Sequence, residues 1–438
     1  MKRSYSLLLA GGTALLAPCL ILNSSWGSDL KAPFELETTL VLPKKIRNPR
    51  VKQLLMDVGA RFNGLGLAEP LGARLNKTVT WQNILDAQKT ALDQTQLQGT
   101  LLDLKSQALS GTIEGVSSLE GFELSGSPGE TTGVVNSFAN VRIPVFAMGL
   151  TEKLTLAVAL PIMNVQVSAD TGFEKSAEGQ AFISEICTKD PIKCNEAKDK
   201  LNNAVNQKLV NKGYDPIEST TISGLGDARL VAKYRLWQDD VQAISMRAEL
   251  TAPTGIAPNA DRALDIPTGD GQWDIGTGVI YDLKILRDLT WNTYGGISAQ
   301  LSDELDRRLP VSETDAISAD KERVQRNLGD ILTAGSSLSY FVPSLGLTLG
   351  AGYTYQHMTK TTYQNGAFEE YRYRLLENEY PSQTIHSGIL QAGFSTVEFF
   401  KSGRFPVPFQ ANFAFSHPFA GKNVTTNNVL AGEVVMFF

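Results

Sequence analysis

From about residue 134 to the end of the chain, apolar and polar residues alternate in runs of about 13 to 17, the period-two pattern of β-strands. Between 288 and 302, Leu289, Trp291, Thr293, Ile297, Ala299 and Leu301 share one face, while Asp288, Thr290, Asn292, Ser298, Gln300 and Ser302 share the other. Between 345 and 360, Leu345, Leu347, Leu349, Ala351, Tyr353 and Tyr355 oppose Thr348, Gly350, Gly352, Thr354, Gln356 and Lys360. Similar runs lie near 134–148, 153–168, 224–237, 241–253, 271–284, 328–341, 384–400, 405–418 and 424–438, with an earlier one at 50–62, and together they predict twelve strands. The short apolar run from Phe34 to Leu42 is the alternative that raises the number to fourteen.

The connections alternate in length. Gln238-Asp239-Asp240 and Pro343-Ser344 are short turns, whereas 170–222, 254–270, 303–327 and 361–383 are long and polar. Short turns at one end and long loops at the other mark a transmembrane antiparallel β-barrel. A soluble β-sandwich also alternates, but its strands are usually shorter than a tilted membrane crossing requires. Aromatic residues gather towards strand ends, at Trp237, Trp291, Tyr340, Phe341, Phe399 and Phe400, as an interfacial girdle does. Pro144, Pro161 and Pro406 mark irregular points, because proline cannot donate to a ladder. The chain ends within its last run at Met436-Phe437-Phe438, which resembles the C-terminal assembly signal of bacterial outer-membrane barrels. The expected partners are therefore membrane lipid and the barrel assembly machinery, in the outer membrane.

Two stretches break the pattern. Met1-Lys2-Arg3 followed by the apolar stretch Leu7 to Leu22 reads as a secretory signal cut after Gly27, leaving 28–49 as a periplasmic segment before a barrel of 50–438. A retained helical anchor and a lipoprotein box at Leu16-Ala17-Pro18-Cys19 are the weaker readings. Residues 63–133 interrupt the strands, and from Thr80 to Ser110 they predict a helix with an apolar stripe of Trp81, Ile84, Leu85, Leu92, Leu97, Leu101 and Leu104. A connection this long is expected to plug the lumen or to cap it from outside. The loop at 170–222 holds Cys187 and Cys194, whose spacing in an exported chain predicts a disulfide, and a helix-like stretch from Glu196 to Lys212. Two thiolates without a nearby histidine do not complete a zinc site.

Composition removes several classes. The chain is 42% hydrophobic and 20% charged, with its only long apolar run at the start, so it is not a multi-pass helical membrane protein. Loss of Lys2 and Arg3 with the signal leaves 38 basic against 46 acidic side chains, a net charge of -8. No basic face for nucleic acid follows from that balance. On the inward face the alternation places Asp227, Arg229, Lys233 and Arg235 on one strand, Arg247 and Glu249 on the next, and Asp274 and Asp282 on the third. With Trp237 paired to Val241, Arg229 lies against Glu249 and Arg247 against Val231. Such a group either selects solutes at a constriction or braces the wall as an ion-pair network.

Signs of catalysis are weak. His386 and Ser387 are neighbours on a strand and so point to opposite faces, which prevents them from acting as base and nucleophile. His357, His386 and His417 lie near strand ends, as interfacial polar residues do. Asp261, Asp265 and Asp270 miss the EF-hand spacing for calcium, and Gly269 to Asp274 lacks the following helix of a nucleotide loop. No enzyme activity, metal or cofactor is expected.

The stretches GLGDARLVAKYRLW at 224–237, TAPTG at 251–255 and PTGDGQWDIGTGVIYDL at 267–283 resemble the outer-membrane barrel family associated with the meta-pathway of phenol degradation. The resemblance covers about half the chain and implies passage of aromatic or other hydrophobic small molecules. The expected function is therefore a channel or transporter for small solutes. The competing expectation is a structural or surface-interaction barrel with a closed lumen.

Overall fold

The computed structural model describes residues 30, 33, 35–80, 125–189, 204–313 and 317–438. The expected signal sequence, most of the expected helix from Thr80 to Ser110, and Cys194 lie outside the described residues. The chain forms β1 (Arg47–Phe62), β2 (Ala68–Pro70), β3 (Lys77–Val79), β4 (Gly129–Gly149), β5 (Leu154–Ala159) and β6 (Ile162–Lys175). Helices α1 (Ala177–Lys189) and α2 (Ala204–Asn211) precede β7 (Thr220–Leu225), β8 (Ala228–Gln238), β9 (Gln242–Ala252), β10 (Asp274–Leu286) and β11 (Leu289–Gln300). Then come β12 (Asp303–Arg308), β13 (Lys321–Asn327), β14 (Ile331–Val342), β15 (Leu347–Met358) and β16 (Thr362–Gln364). Helix α3 (Glu370–Glu379), β17 (Gln383–Ser395), helix α4 (Val397–Lys401), β18 (Phe409–Lys422) and β19 (Val424–Met436) complete the order.

β1 pairs antiparallel with both β4 and β19, so the sheet closes on itself and leaves no edge in the membrane. β5 and β6 lie end to end along β4, and β7 and β8 lie end to end along them. Counting each of these pairs as one strand, the wall has twelve strands. Pro161 separates β5 from β6 because it has no N–H to donate. Ala159 faces Arg229 while Ile162 faces Leu225, so three steps along one strand match four along the other, a bulge at Gly226-Asp227. The ends meet where Arg47 N–H donates to the Phe438 carbonyl at 2.9 Å and Phe438 N–H returns a bond to Arg47 at 3.0 Å.

Period-two alternation separates the two faces. Leu230, Tyr234, Met246, Leu250, Ile275, Val279, Leu338, Leu349 and Phe413 are exposed on the outside, where lipid replaces water. Trp237, Tyr340 and Phe400 lie exposed towards the short-turn end, as the aromatic girdle requires. At the other end the long connections build a cap, with β12, β13 and β16 in a small sheet over a core of Leu309, Val324, Tyr363, Tyr373 and Leu376. One connection on that side is short, since Asn423, at φ 55°, turns β18 directly into β19.

Three expected boundaries change. The wall begins at Arg47 instead of residue 50. Residues 129–133, assigned to the insertion, are wall, because an unbroken 21-residue strand runs from Gly129 to Gly149. The segment around 35–43, expected in the periplasm or as an extra pair of strands, is neither. It runs inside the barrel, so the fourteen-strand alternative falls.

Candidate functional site

The described residues of the N-terminal segment, 30, 33 and 35–45, meet both ends of the lumen. Leu30 packs at the loop end against Phe62, Met358, Ile385 and Val424, and its N–H donates to Gln383 Oε1 at 2.9 Å. At the short-turn end Leu42 N–H donates to Thr155 Oγ1 at 2.7 Å, and Lys45 N–H to the Gly149 carbonyl at 2.8 Å. Between these points the Glu37 carboxylate pairs with Arg247 and, at 3.6 Å, with Lys233. Lys233 Nζ also donates to the Thr38 carbonyl at 2.8 Å. Ser245 Oγ donates to the Thr39 carbonyl at 2.7 Å. Asp282 accepts from Thr39 N–H at 2.9 Å, Thr39 Oγ1 at 2.6 Å and Asn292 Nδ2 at 2.5 Å. Glu35 pairs with Lys52, which also stands 3.6 Å from Glu433. An extended segment cannot pair its own backbone, so the inner wall supplies these partners.

The expected charged cluster forms with a different register. Arg229 faces Thr251, Val231 faces Glu249 and Lys233 faces Arg247. The turn is longer than expected, because Asp239 Oδ1 accepts from the Val241 and Gln242 N–H groups at 2.8 Å, and a bulge follows between Arg235 and Trp237. The slip is two residues, an even number, so every side chain keeps its face. Arg229 therefore still reaches Glu249 diagonally at 3.6 Å, and Arg247 bridges Glu249 to Glu37. Opposing Lys233 to Arg247 places two cations together, and Glu37 from the segment is the charge that makes this tolerable.

The other candidates lie elsewhere. Asp282 holds the segment and joins no cation among the described residues. Asp274 opens β10 opposite Thr251 and makes no ion pair among the described residues. Arg235 sits at the short-turn rim and donates to the Glu152 carbonyl at 2.8 Å. Asp227 lies at the bulge and organises loops: its carboxylate accepts from Gly255 N–H at 2.9 Å and Asp270 N–H at 3.1 Å. Around it Thr254 Oγ1 donates to the Gly226 carbonyl and Thr268 Oγ1 to the Leu225 carbonyl. The three motif stretches thus converge in one knot at the loop end. Gly269 is required there, since a Cβ would stand 2.4 Å from the Asp227 carboxylate. Cys187 lies on α1. Ser387 faces inward, whereas His386 faces outward and bonds Tyr353 at 2.7 Å.

The lumen is divided. β8 to β11 present the charged and polar groups, while β1, β4 and β6 turn Leu54, Met56, Val58, Ala139, Val141, Met163, Val165 and Val167 inward. Loop residues Leu209, Leu264 and Ile266 and the 3-10 turn residue Leu75 close over this apolar half. Sequence reasoning missed Glu35, Glu37, Thr38 and Thr39. Their alternation with Leu36 looks like a strand, and only the surplus of cations on the inner wall hints at a resident carboxylate.

Residues 117–376, more than half the chain, match the family described as "MetA-pathway of phenol degradation". No curated protein matches the sequence. Among solved structures, the COG4313 outer membrane channel from Pseudomonas putida F1 is similar at 13% identity and a TM-score of 0.50, covering 92% of this chain and 100% of that one. The CymD monoaromatic hydrocarbon channel is matched at 8% identity and a TM-score of 0.33, over 91% of this chain and 89% of that one. The Pseudomonas putida toluene transporter TodX is matched at 8% identity and a TM-score of 0.30, over 90% of each chain. The likeness to the COG4313 channel extends over the whole barrel, and the fold is that of the bacterial outer membrane.

Proposed function

We propose, from the premise that this chain belongs to the MetA-pathway of phenol degradation family, that it is an outer-membrane channel for small apolar solutes, aromatic compounds among them. One observation carries the reading: β1, β4 and β6 turn an apolar cluster, with Leu54, Met56, Val58, Val141, Met163 and Val165 in it, into the lumen, where a water-filled pore presents polar side chains. The threaded segment acts as the gate. Glu37 anchors it to Lys233 and Arg247, Asp282 anchors it through Thr38 and Thr39, and Arg229 and Glu249 hold Arg247 in place. Cleavage after Gly27, a Cys187–Cys194 disulfide, and recognition of Met436, Phe437 and Phe438 by the assembly machinery complete this reading. The reading involves no catalysis, and His386 and Ser387, on opposite faces of the wall, do not meet as base and nucleophile.

The test is entry of toluene into liposomes containing the mature chain, followed with an encapsulated solvatochromic dye, together with ion conductance. Toluene should enter faster than into empty liposomes, and deletion of 30–43 should raise both toluene entry and conductance. A barrel that stays folded yet passes neither toluene nor ions, with or without the segment, would favour the closed surface-interaction barrel.

A further inference from the structure

The inner wall of β14, β15, β17 and β18 carries four hydroxyl groups without a hydrogen-bond partner among the described residues. Ser337, Thr354, Ser387 and Ser416 are 5%, 1%, 0% and 0% exposed, and none of their oxygens has a hydrogen-bond partner among the described residues. Buried hydroxyls are normally paired, because an unpaired one forfeits its bonds to water without replacement. One such group is unremarkable; four on adjacent strands form a site. Thr354 faces Ser387 across β15 and β17, Ser416 faces Ile389 across β17 and β18, and Ser337 faces Gly352 across β14 and β15. Cross-strand and diagonal neighbours at these positions lie within reach of one small molecule.

Beside the hydroxyls the wall has a notch. Side chains added at Gly350 and Gly352 would stand 2.7 and 2.6 Å from Leu36, so two glycines create the space and Leu36 of the threaded segment fills it. Leu36 is apolar and offers the hydroxyls nothing. Its backbone is also loosely held, with one bond of 3.4 Å to Gln391 Oε1, in contrast to the short bonds at Thr39. Ile389, 1% exposed, and the Tyr294 ring against Gly335 supply further apolar surface. The inward residues of these four strands near the notch, Gln356, Gln391, Asn412 and the four hydroxyls, are all uncharged.

We propose that this notch is a binding site for a neutral solute carrying a hydroxyl on a small apolar body, which takes the place of Leu36. The inference deepens the channel reading and rests on it. The apolar body fills the volume of Leu36, and the solute hydroxyl donates to one of Thr354 and Ser387 and accepts from the other. A hydrocarbon of the same shape gains only the first part.

The experiment compares phenol with toluene, two probes of one shape, by isothermal titration against the folded full-length mature protein in detergent. Phenol should bind more tightly than toluene. Thr354→Val with Ser387→Ala should lower phenol affinity about tenfold, the scale of one lost hydrogen bond, and leave toluene affinity unchanged. Leu36→Ala should strengthen both. Because the replaced hydroxyls are unpaired, the free double variant should melt no lower than the parent; if it fails to fold, the single isosteric change Thr354→Val carries the same expectation. Equal phenol affinity in parent and folded variant overturns the site, as does an equal preference of the parent for phenol and toluene. Toluene entry into liposomes reports separately on the channel: failure there with the phenol effect intact overturns the channel reading alone.

Discussion

At the scale of single residues, the charges that alternation placed on one inner wall do different work once neighbouring strands and loops are present. Asp227 ties the loop motifs together instead of lining a constriction. Asp227→Ala removes two charge-assisted bonds and leaves half-buried N–H groups at Gly255 and Asp270 without their carboxylate, a cost of about 2 to 4 kcal/mol to the local structure. Proteinase K should then cut within 253–273 in a barrel whose remaining strands stay protected. In the cap, Lys321 and Arg308 hydrogen-bond the Asp261 carboxylate and hold it below the usual carboxylate range. A depressed carboxyl stabilises the folded cap above its unfolded pKa, and that contribution disappears as pH falls through the folded value. Hydrogen exchange around 304–323 should therefore accelerate on acidification below about pH 4, and Asp261→Asn should abolish the change. The inward positions of Arg229, Lys233, Arg247 and Glu249 were legible because a two-residue slip preserves parity. Their exact partners were not, because a turn capped by Asp239 and a bulge at Arg235 set them.

At the scale of elements, the threaded segment is where local pattern misleads. Residues 35–42 alternate as a strand does, yet none of them joins the ladder. The barrel closes through β1, β4 and β19, which leaves no edge for another strand, so the segment satisfies its backbone on inner-wall side chains. Glu37→Gln removes the charge shared by Lys233 and Arg247, two cations that face each other. Single-channel conductance should rise in this variant and should depend more steeply on salt, because screening then replaces the lost carboxylate. Unchanged conductance would show that Asp282 and the backbone bonds suffice to hold the gate.

At the scale of the whole molecule, one side of the barrel carries an apolar patch on its inner face. There β1, β4 and β6 turn Leu54, Met56, Val58, Val141, Met163 and Val165 inward, while Gln53, Arg142 and Asn164 stand outside beside the apolar Val134, Phe138 and Ile162. The length of β4 explains part of this. A membrane crossing takes about 9 to 11 residues, and its 21 carry it well above the bilayer, where the outside meets water and the inside packs on loops. Met163→Glu would place an unpaired carboxylate in the apolar half and should cut toluene entry into liposomes severely, at about 3 kcal/mol of barrel stability. A variant that folds and still admits toluene at the parent rate would separate solute passage from this wall.

The alternation of side chains and the alternation of connection lengths by themselves determined a twelve-stranded membrane barrel, because strand periodicity and lipid exposure act on neighbours in the chain. The alternation also placed Arg229, Lys233, Arg247 and Glu249 on one face. Tertiary structure alone decided that residues 35–43 cross the lumen, that Glu37 sits between Lys233 and Arg247, and that Leu36 fills a notch beside four unpaired hydroxyls. Each of these depends on closure of the sheet, which brings together residues more than 190 positions apart. No local pattern carries the position of a partner that the chain meets only after the barrel has closed.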